Sequence, residues 1–176
     1  SKDHLPAISK YVKDSNKLHY FPNWAEDLYS ETKSFAPEIE KKENTFNILF
    51  AGNIGQAQDF PAILDAAEEL KSEKHIRWLI VGRGRMHEWV KTQVKERKLE
   101  DSFLLVGSFP VERMPEFYQH ADCLLVTLKQ DPFLSMTIPC KIQSYLAAGI
   151  PLLGMIDGAG ATVIEEANAG FVASAG

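Results

Sequence analysis

The sequence predicts an α/β domain built on a six-stranded parallel sheet with helices on both faces. Two features point to it. From Phe46 to Val172, short apolar runs of strand length alternate with segments whose apolar residues recur at helical spacing. Strands separated by helices in this way join through βαβ crossovers, which make the sheet parallel and cover both of its faces. The turns at the strand ends also carry glycine, the residue that lets a chain pass sharply from strand to helix.

Residues 1–45 stand apart from this alternation. They are polar, carry scattered prolines and hold one compact apolar island, Tyr20-Phe21-Pro22-Asn23-Trp24, before the solvated connector Lys41-Lys42-Glu43-Asn44. They read as a lead-in and linker, with the domain proper at 46–176. Phe46–Ala51 is the first strand and ends on Gly52-Asn53-Ile54-Gly55. Phe60, Ile63, Leu64, Ala67 and Leu70 then share one face of a helix. Ile76–Val81 is the second strand, closed by Gly82-Arg83-Gly84-Arg85, and Met86 to Leu99 is a helix with Trp89, Val90 and Val94 inward. Phe103–Val106 ends at Gly107, Pro110 opens a short helix carrying Met114, Phe117 and Tyr118, and Cys123–Val126 is the fourth strand.

A long polar loop leads to Pro139, which suits the first turn of a helix because it leaves no N–H unpaired there. Ile142, Tyr145, Leu146 and Gly149 follow at helical spacing; Gly149 supplies a left-handed stop and Pro151 bars any return to helix. Leu152-Leu153, a helix from Gly158 to Ala169 and the strand Gly170-Phe171-Val172 complete the alternation.

Composition narrows the function. Hydrophobic residues at 45% and charged residues at 24% are the balance of one soluble globular domain. Net charge is −5 with no basic block, so nucleic acid is not an expected partner. No apolar run is long enough to span a membrane and no signal peptide opens the chain. Cys123 and Cys140 lack metal-site spacing and read as reduced thiols in a cytoplasmic protein, and the five histidines show no catalytic or metal pattern. No metal site is expected.

In an open α/β sheet, ligands bind beyond the carboxyl ends of the strands. Those ends read Gly52-Asn53, Gly82-Arg83-Gly84, Gly107-Ser108, Thr127-Leu128-Lys129 and Gly154-Met155, with no carboxylate and no histidine. A phospho-acceptor domain needs acids there. A dinucleotide fingerprint needs a third glycine near His87 and should follow the first strand, and neither a P-loop nor a Gly-x-Ser-x-Gly elbow occurs. Glycines that expose backbone N–H groups, with Arg83 beside them, suit a diphosphate-bearing ligand, although tight βα turns use glycine for conformation alone. Lys141 adds to the first reading. A cation in the first turn of a helix opposes the macrodipole, and an anion held between it and the free N–H groups of that turn reverses the sign. A solvated lysine is the ordinary alternative.

Phe21-Pro22-Asn23-Trp24, Gly52-Asn53-Ile54-Gly55-Gln56-Ala57-Gln58, Val81-Gly82-x-Gly84 and Pro139-Cys140-Lys141 through Tyr145-Leu146-Ala147-Ala148-Gly149-Ile150-Pro151 occur in that order. In these four motifs the chain, over about residues 18–175, resembles the C-terminal, donor-binding half of a group 1 (family 4) glycosyltransferase of GT-B fold, most like bacterial enzymes of capsule and lipopolysaccharide synthesis. The resemblance implies a Rossmann-like domain. It further implies retaining transfer of a sugar from a UDP- or GDP-sugar, without cofactor or essential metal. The saccharide or lipid-linked acceptor and the usual catalytic histidine belong to an N-terminal domain, which would also carry any attachment to the inner face of the membrane. Pro22-Asn23 matches the crossover from that domain, so the chain is expected to hold a donor without turning over by itself.

By the same resemblance, Asn53 and Gln58 stand where many members carry an arginine and a lysine for the diphosphate. Met136 and Ser144 stand at the positions of a glutamate pair, where Ser144 can still bond a ribose hydroxyl and Met136 cannot replace a carboxylate. Lys141, with backbone N–H groups from Thr137 to Lys141 and help from Arg83 or Asn53, is expected to stabilise the leaving phosphate. Gly52 and Gly55 shape the first turn, Gly82 and Gly84 admit the nucleoside, and the base lies over Gly107 and Phe109. A non-catalytic sugar-nucleotide binding module is the alternative.

Overall fold

The computed structural model describes residues 1–29 and 34–176. Its centre is one sheet of six strands, β1 (Phe46–Ala51), β2 (Ile76–Val81), β3 (Phe103–Gly107), β4 (Cys123–Thr127), β5 (Leu152–Met155) and β6 (Gly170–Ala173). They lie in the order β3-β2-β1-β4-β5-β6, and every pairing is parallel. The helices are α1 (Leu5–Ser9), α2 (Phe60–Glu69), α3 (His87–Glu96), α4 (Met114–Tyr118), α5 (Lys141–Ala148) and α6 (Ala159–Glu166). α2 and α3 cover one face, burying Phe60, Ile63, Leu64, Val90 and Val94 against Ile48, Phe50, Trp78 and Ile80. On the other face Phe117, Ile142, Tyr145 and Ile164 pack onto Leu49, Ala51, Leu79 and Leu124. The alternation of inward residues along β1 and β2 thus feeds two separate layers of core.

The ends of α5 follow their residues. Ile142 N–H donates to the Pro139 carbonyl at 3.0 Å, closing a first turn that needs nothing from the proline nitrogen. Gly149 ends the helix at φ 68°, and its N–H donates to the Leu146 carbonyl. The lead-in segment is more than a connector. Tyr29, Ala36 and Ile39 are buried in the core, Ala36 N–H donates to the Glu116 carbonyl, and Arg113 bonds both carboxylate oxygens of Glu38 at 2.7 and 2.9 Å. Asn23 reaches α5, its amide donating to Cys140 Sγ at 3.0 Å.

The sheet opens between its two central strands. β1 and β4 pair only at Ile48↔Cys123 and Leu49↔Leu124, while β1 continues along β2 to Ala51↔Val81 and β4 continues along β5 to Thr127↔Met155. This is also where the chain reverses its direction of travel across the sheet, the place such folds use for ligands.

Three strand ends are then tied side by side. Gly52 N–H donates to the Val81 carbonyl and Gly82 N–H to the Gly107 carbonyl, with φ of 141°, 147° and 112° at Gly52, Gly82 and Gly107. Gly82 has the least freedom: a Cβ there would stand 1.8 Å from the Gly52 carbonyl oxygen. Replacing Gly82 by alanine is therefore expected to destabilise the fold by about 3 kcal/mol or more, since backbone must move on both strands. Urea denaturation measures it, and a midpoint unchanged from the parent would contradict the packing described. Gly154 differs from the expectation that it marks a strand end. It lies inside β5, paired with Val126 and Val172 and packed on Ile164, so close packing explains it.

Candidate functional site

The three tied turns enclose a cleft of about 240 Å³ lined by Gly52, Asn53, Gly82, Arg83, Ser108, Phe109 and Met114. The structure thus gathers candidates from three separate turns at one place. Gly107 stands behind the cleft wall, 3.7 Å from the Phe109 ring measured from where its Cβ would be. A neighbouring hollow of about 320 Å³ is formed by Asn53, Gly55, Gln56, Ala57, Gln58 and Arg85. A larger recess of about 480 Å³ lies against the outer edge of β3, flanked by Lys91, Lys95 and Glu100, away from the strand ends.

Lys141 begins α5, and its ammonium is the most unusual group in the structure. The residue is half-buried, but Nζ itself is sealed from solvent and has no hydrogen-bond partner among the described residues. It lies 3.5 Å from the centroid of the Phe50 ring, a cation–π contact that offsets only part of the cost of losing water. A Cβ on Gly52 would stand 3.0 Å from Nζ, so glycine is what lets the amine reach the turn that lines the cleft. Burial pushes the Lys141 amine down to about 7. A cation kept dry and unpaired is costly unless something negative is meant to meet it.

The loop after β1 is held across the open seam. Thr127 Oγ1 at the end of β4 donates to the Gln58 carbonyl at 2.6 Å, and Lys129 N–H donates to the Ala57 carbonyl at 2.9 Å. Inside that loop the Gln58 side-chain oxygen is buried without a donor among the described residues, a second unsatisfied polar atom. Asn53 is wedged between two glycines. Its amide nitrogen is 2.5 Å from where a Cβ of Gly55 would be, and its oxygen 2.5 Å from that of Gly84. Gly84 and Gly55 are therefore explained by the room they leave for Asn53 and for the Ile54 carbonyl, which accepts from Met86 N–H.

The remaining candidates lie on the wall or rim of the cleft or outside it. Arg83 is exposed on the rim, and its carbonyl accepts from Ile54 N–H at 2.9 Å. Phe109 lines the cleft and packs on Phe117, ring centroids 4.5 Å apart, under the Arg113 guanidinium. Thr137, Lys141 and Ser144 do not line the cleft. The expected row of free N–H groups from Thr137 to Lys141 is shorter than the sequence suggested: Thr137 N–H donates to the Leu134 carbonyl at 2.9 Å, and Pro139 has none. A 3-10 turn at Leu134–Met136, not legible in the loop's residues, takes that donor. Sequence reasoning also gave no role to Thr127 or to the Tyr145 hydroxyl. A hydroxyl on an otherwise apolar helix face was the available signal for Tyr145.

Among the described residues no helix is long and apolar enough to cross a membrane, and no group of three or more histidine, cysteine, aspartate or glutamate side chains is placed to hold a metal ion.

Known proteins share this architecture and this sequence pattern. The Anabaena protein HepE, solved with UDP and glucose, superposes over 100% of this chain and 48% of its own with a TM-score of 0.74 at 17% identity. WaaG, a glycosyltransferase involved in lipopolysaccharide biosynthesis, does so over 76% and 34% with a TM-score of 0.60 at 19% identity. In sequence, the chain is 28% identical over 150 residues to the putative colanic acid biosynthesis glycosyl transferase WcaI of Escherichia coli, covering 81% of this chain and 36% of that protein. It is 26% identical over 181 residues to the probable glycosyltransferase WbjE of Pseudomonas aeruginosa, covering 97% and 43%. The chain thus spans less than half the length of these relatives. Residues 31–176, the whole of the sheet with α2 to α6, match the sequence profile of the group 1 glycosyl transferases, and the chain belongs to that family.

Proposed function

We propose that this chain is the donor-binding half of a retaining glycosyltransferase that moves a sugar from a UDP- or GDP-sugar to a growing surface-polysaccharide acceptor, saccharide or lipid-linked. The observation that carries this reading is the dry, unpaired Lys141 ammonium set against Gly52 at the open seam of the sheet. Breaking the bond between the anomeric carbon and the diphosphate leaves negative charge on the leaving oxygen, and a cation already stripped of water stabilises that charge strongly. Lys141 supplies it, Arg83 on the rim and the Asn53 amide assist, and Gly82 and Phe109 border the space for the nucleoside. In this reading the charge that other members place on the first turn has moved to α5, with Asn53 and Gln58 left as neutral donors. No protein-held metal or cofactor takes part, and the work is done at the cytoplasmic side of the membrane.

The UDP present in the HepE structure and the polysaccharide-related names of WcaI and WaaG support the donor and acceptor classes. Calorimetric titration with UDP, GDP, ADP and their sugars, on this chain and on the full-length protein that carries it, tests the reading. Binding of a uridine or guanosine species, with sugar transfer in the full-length protein, is the expected result. Failure of the full-length protein to bind any of them would end it. Met136, where a carboxylate that touches the donor sugar is usual, favours a second reading as a binding module without turnover. Binding with no product formed by the full-length protein would decide for that reading.

A further inference from the structure

Tyr145 is buried completely, yet its hydroxyl has work that no apolar residue can do. At the open seam Ala51 has lost β4 as a partner, and its N–H and C=O face the gap. One hydroxyl takes both. Ala51 N–H donates to Tyr145 Oη at 2.9 Å, and Oη donates to the Ala51 carbonyl at 3.2 Å. Burial raises the Tyr145 pKa, so the hydroxyl keeps the proton that the second bond requires. Tyr145 lies four residues after Lys141 on α5, so the two side chains leave the same face of the helix one above the other. Together they touch three successive residues of the strand end: Lys141 the ring of Phe50, Tyr145 the backbone of Ala51, and Lys141 again the turn at Gly52.

We infer that Tyr145 is a positioning residue for the donor site: its hydroxyl holds the end of β1 away from β4 and so keeps open the seam in which the Lys141 ammonium stands. Without that hydroxyl two buried backbone groups are left unsatisfied, and the nearest cure is for Ala51 to turn toward β4 and close on the amine. The inference rests on the reading of Lys141 as the diphosphate ligand, and its test is arranged to separate the two.

Tyr145→Phe keeps the ring and its packing on Tyr118 and removes only the hydroxyl. In the full-length protein it is expected to weaken binding of the nucleoside diphosphate about tenfold while leaving the matching nucleoside unchanged, since the base lies over other turns. In a Lys141→Met background the same change is expected to cost less than twofold, because its route through the amine is gone. An equal cost in both backgrounds, no cost at all, or an equal loss of nucleoside and diphosphate would overturn the inference. If the parent protein binds no nucleoside diphosphate, the functional reading fails, and Tyr145 is still tested by the Lys141 ¹³Cε resonance. That resonance moves in Tyr145→Phe if the hydroxyl positions the amine and stays in place if it does not.

Discussion

Lys141→Met is expected to cripple the full-length enzyme while making the chain more stable. Methionine matches the lysine stem in length and flexibility as far as Cε and removes the ammonium. If the ammonium meets the leaving diphosphate, its loss costs about 2–4 kcal/mol of transition-state stabilisation, roughly 30- to 1,000-fold in kcat/KM. The same ammonium is a burden to the fold, because it lies dry against Phe50 and Gly52 with no anion beside it. Replacing it by an apolar side chain of similar size is expected to raise stability by about 1–3 kcal/mol at neutral pH. The direction with pH follows from the depressed amine at about 7. Below that value the amine is charged in the folded and the unfolded chain, and the fold bears the whole penalty. As pH rises toward the ordinary lysine value of about 10.4, the unfolded chain binds the extra proton and the parent regains stability. The advantage of methionine should thus be largest at or below pH 7 and fade toward pH 10. Sugar-transfer kinetics and urea denaturation across that range check both halves. A variant as active as the parent removes Lys141 from the mechanism. A variant less stable at pH 7 shows that the cation–π contact outweighs the cost of desolvation.

The opposition between stability and function at one residue explains what the sequence could and could not disclose. β1 and β2 are legible to the residue because each ends in a buried apolar run, Ile48–Ala51 and Trp78–Val81, closed by glycine, and burial on both faces demands that pattern. β5 is legible only as Leu152-Leu153, since Gly154 and Met155 break the run although both pair in the sheet. Beyond the strand ends one cleft brings Gly52, Asn53, Gly82, Arg83 and Phe109 together. The reason for some glycines was not legible. Gly82 and Gly84 answer to the neighbouring turn, and that contact exists only once β1 and β2 lie side by side. The gap between β1 and β4 is likewise a property of register, invisible in either strand alone, and with it went the roles of Thr127 and the Tyr145 hydroxyl. The oddity of Lys141, by contrast, could be seen in one helix turn, because a cation at the positive end of a helix is already a local conflict.

Donor binding is expected to weaken as pH rises above about 7, by close to tenfold per unit, until the bound-state lysine itself begins to lose its proton. With its amine at about 7 the unbound chain is a mixture near neutrality, while a diphosphate against the ammonium favours the charged form. Binding above pH 7 must therefore take up a proton. A nucleotide sugar is the probe of choice, because its diphosphate bears no group that titrates in this range, and burial is the cause of the Lys141 shift. Titration calorimetry in two buffers of different ionisation heat counts the proton directly: close to one per donor at pH 8, falling toward zero at pH 6, and none at either pH in Lys141→Met. An affinity flat from pH 6 to 9, or proton uptake that survives in the methionine variant, would place the diphosphate elsewhere than at Lys141. Such a result would leave the buried ammonium without a ligand to balance it, and the open seam would then need another reason to stay open.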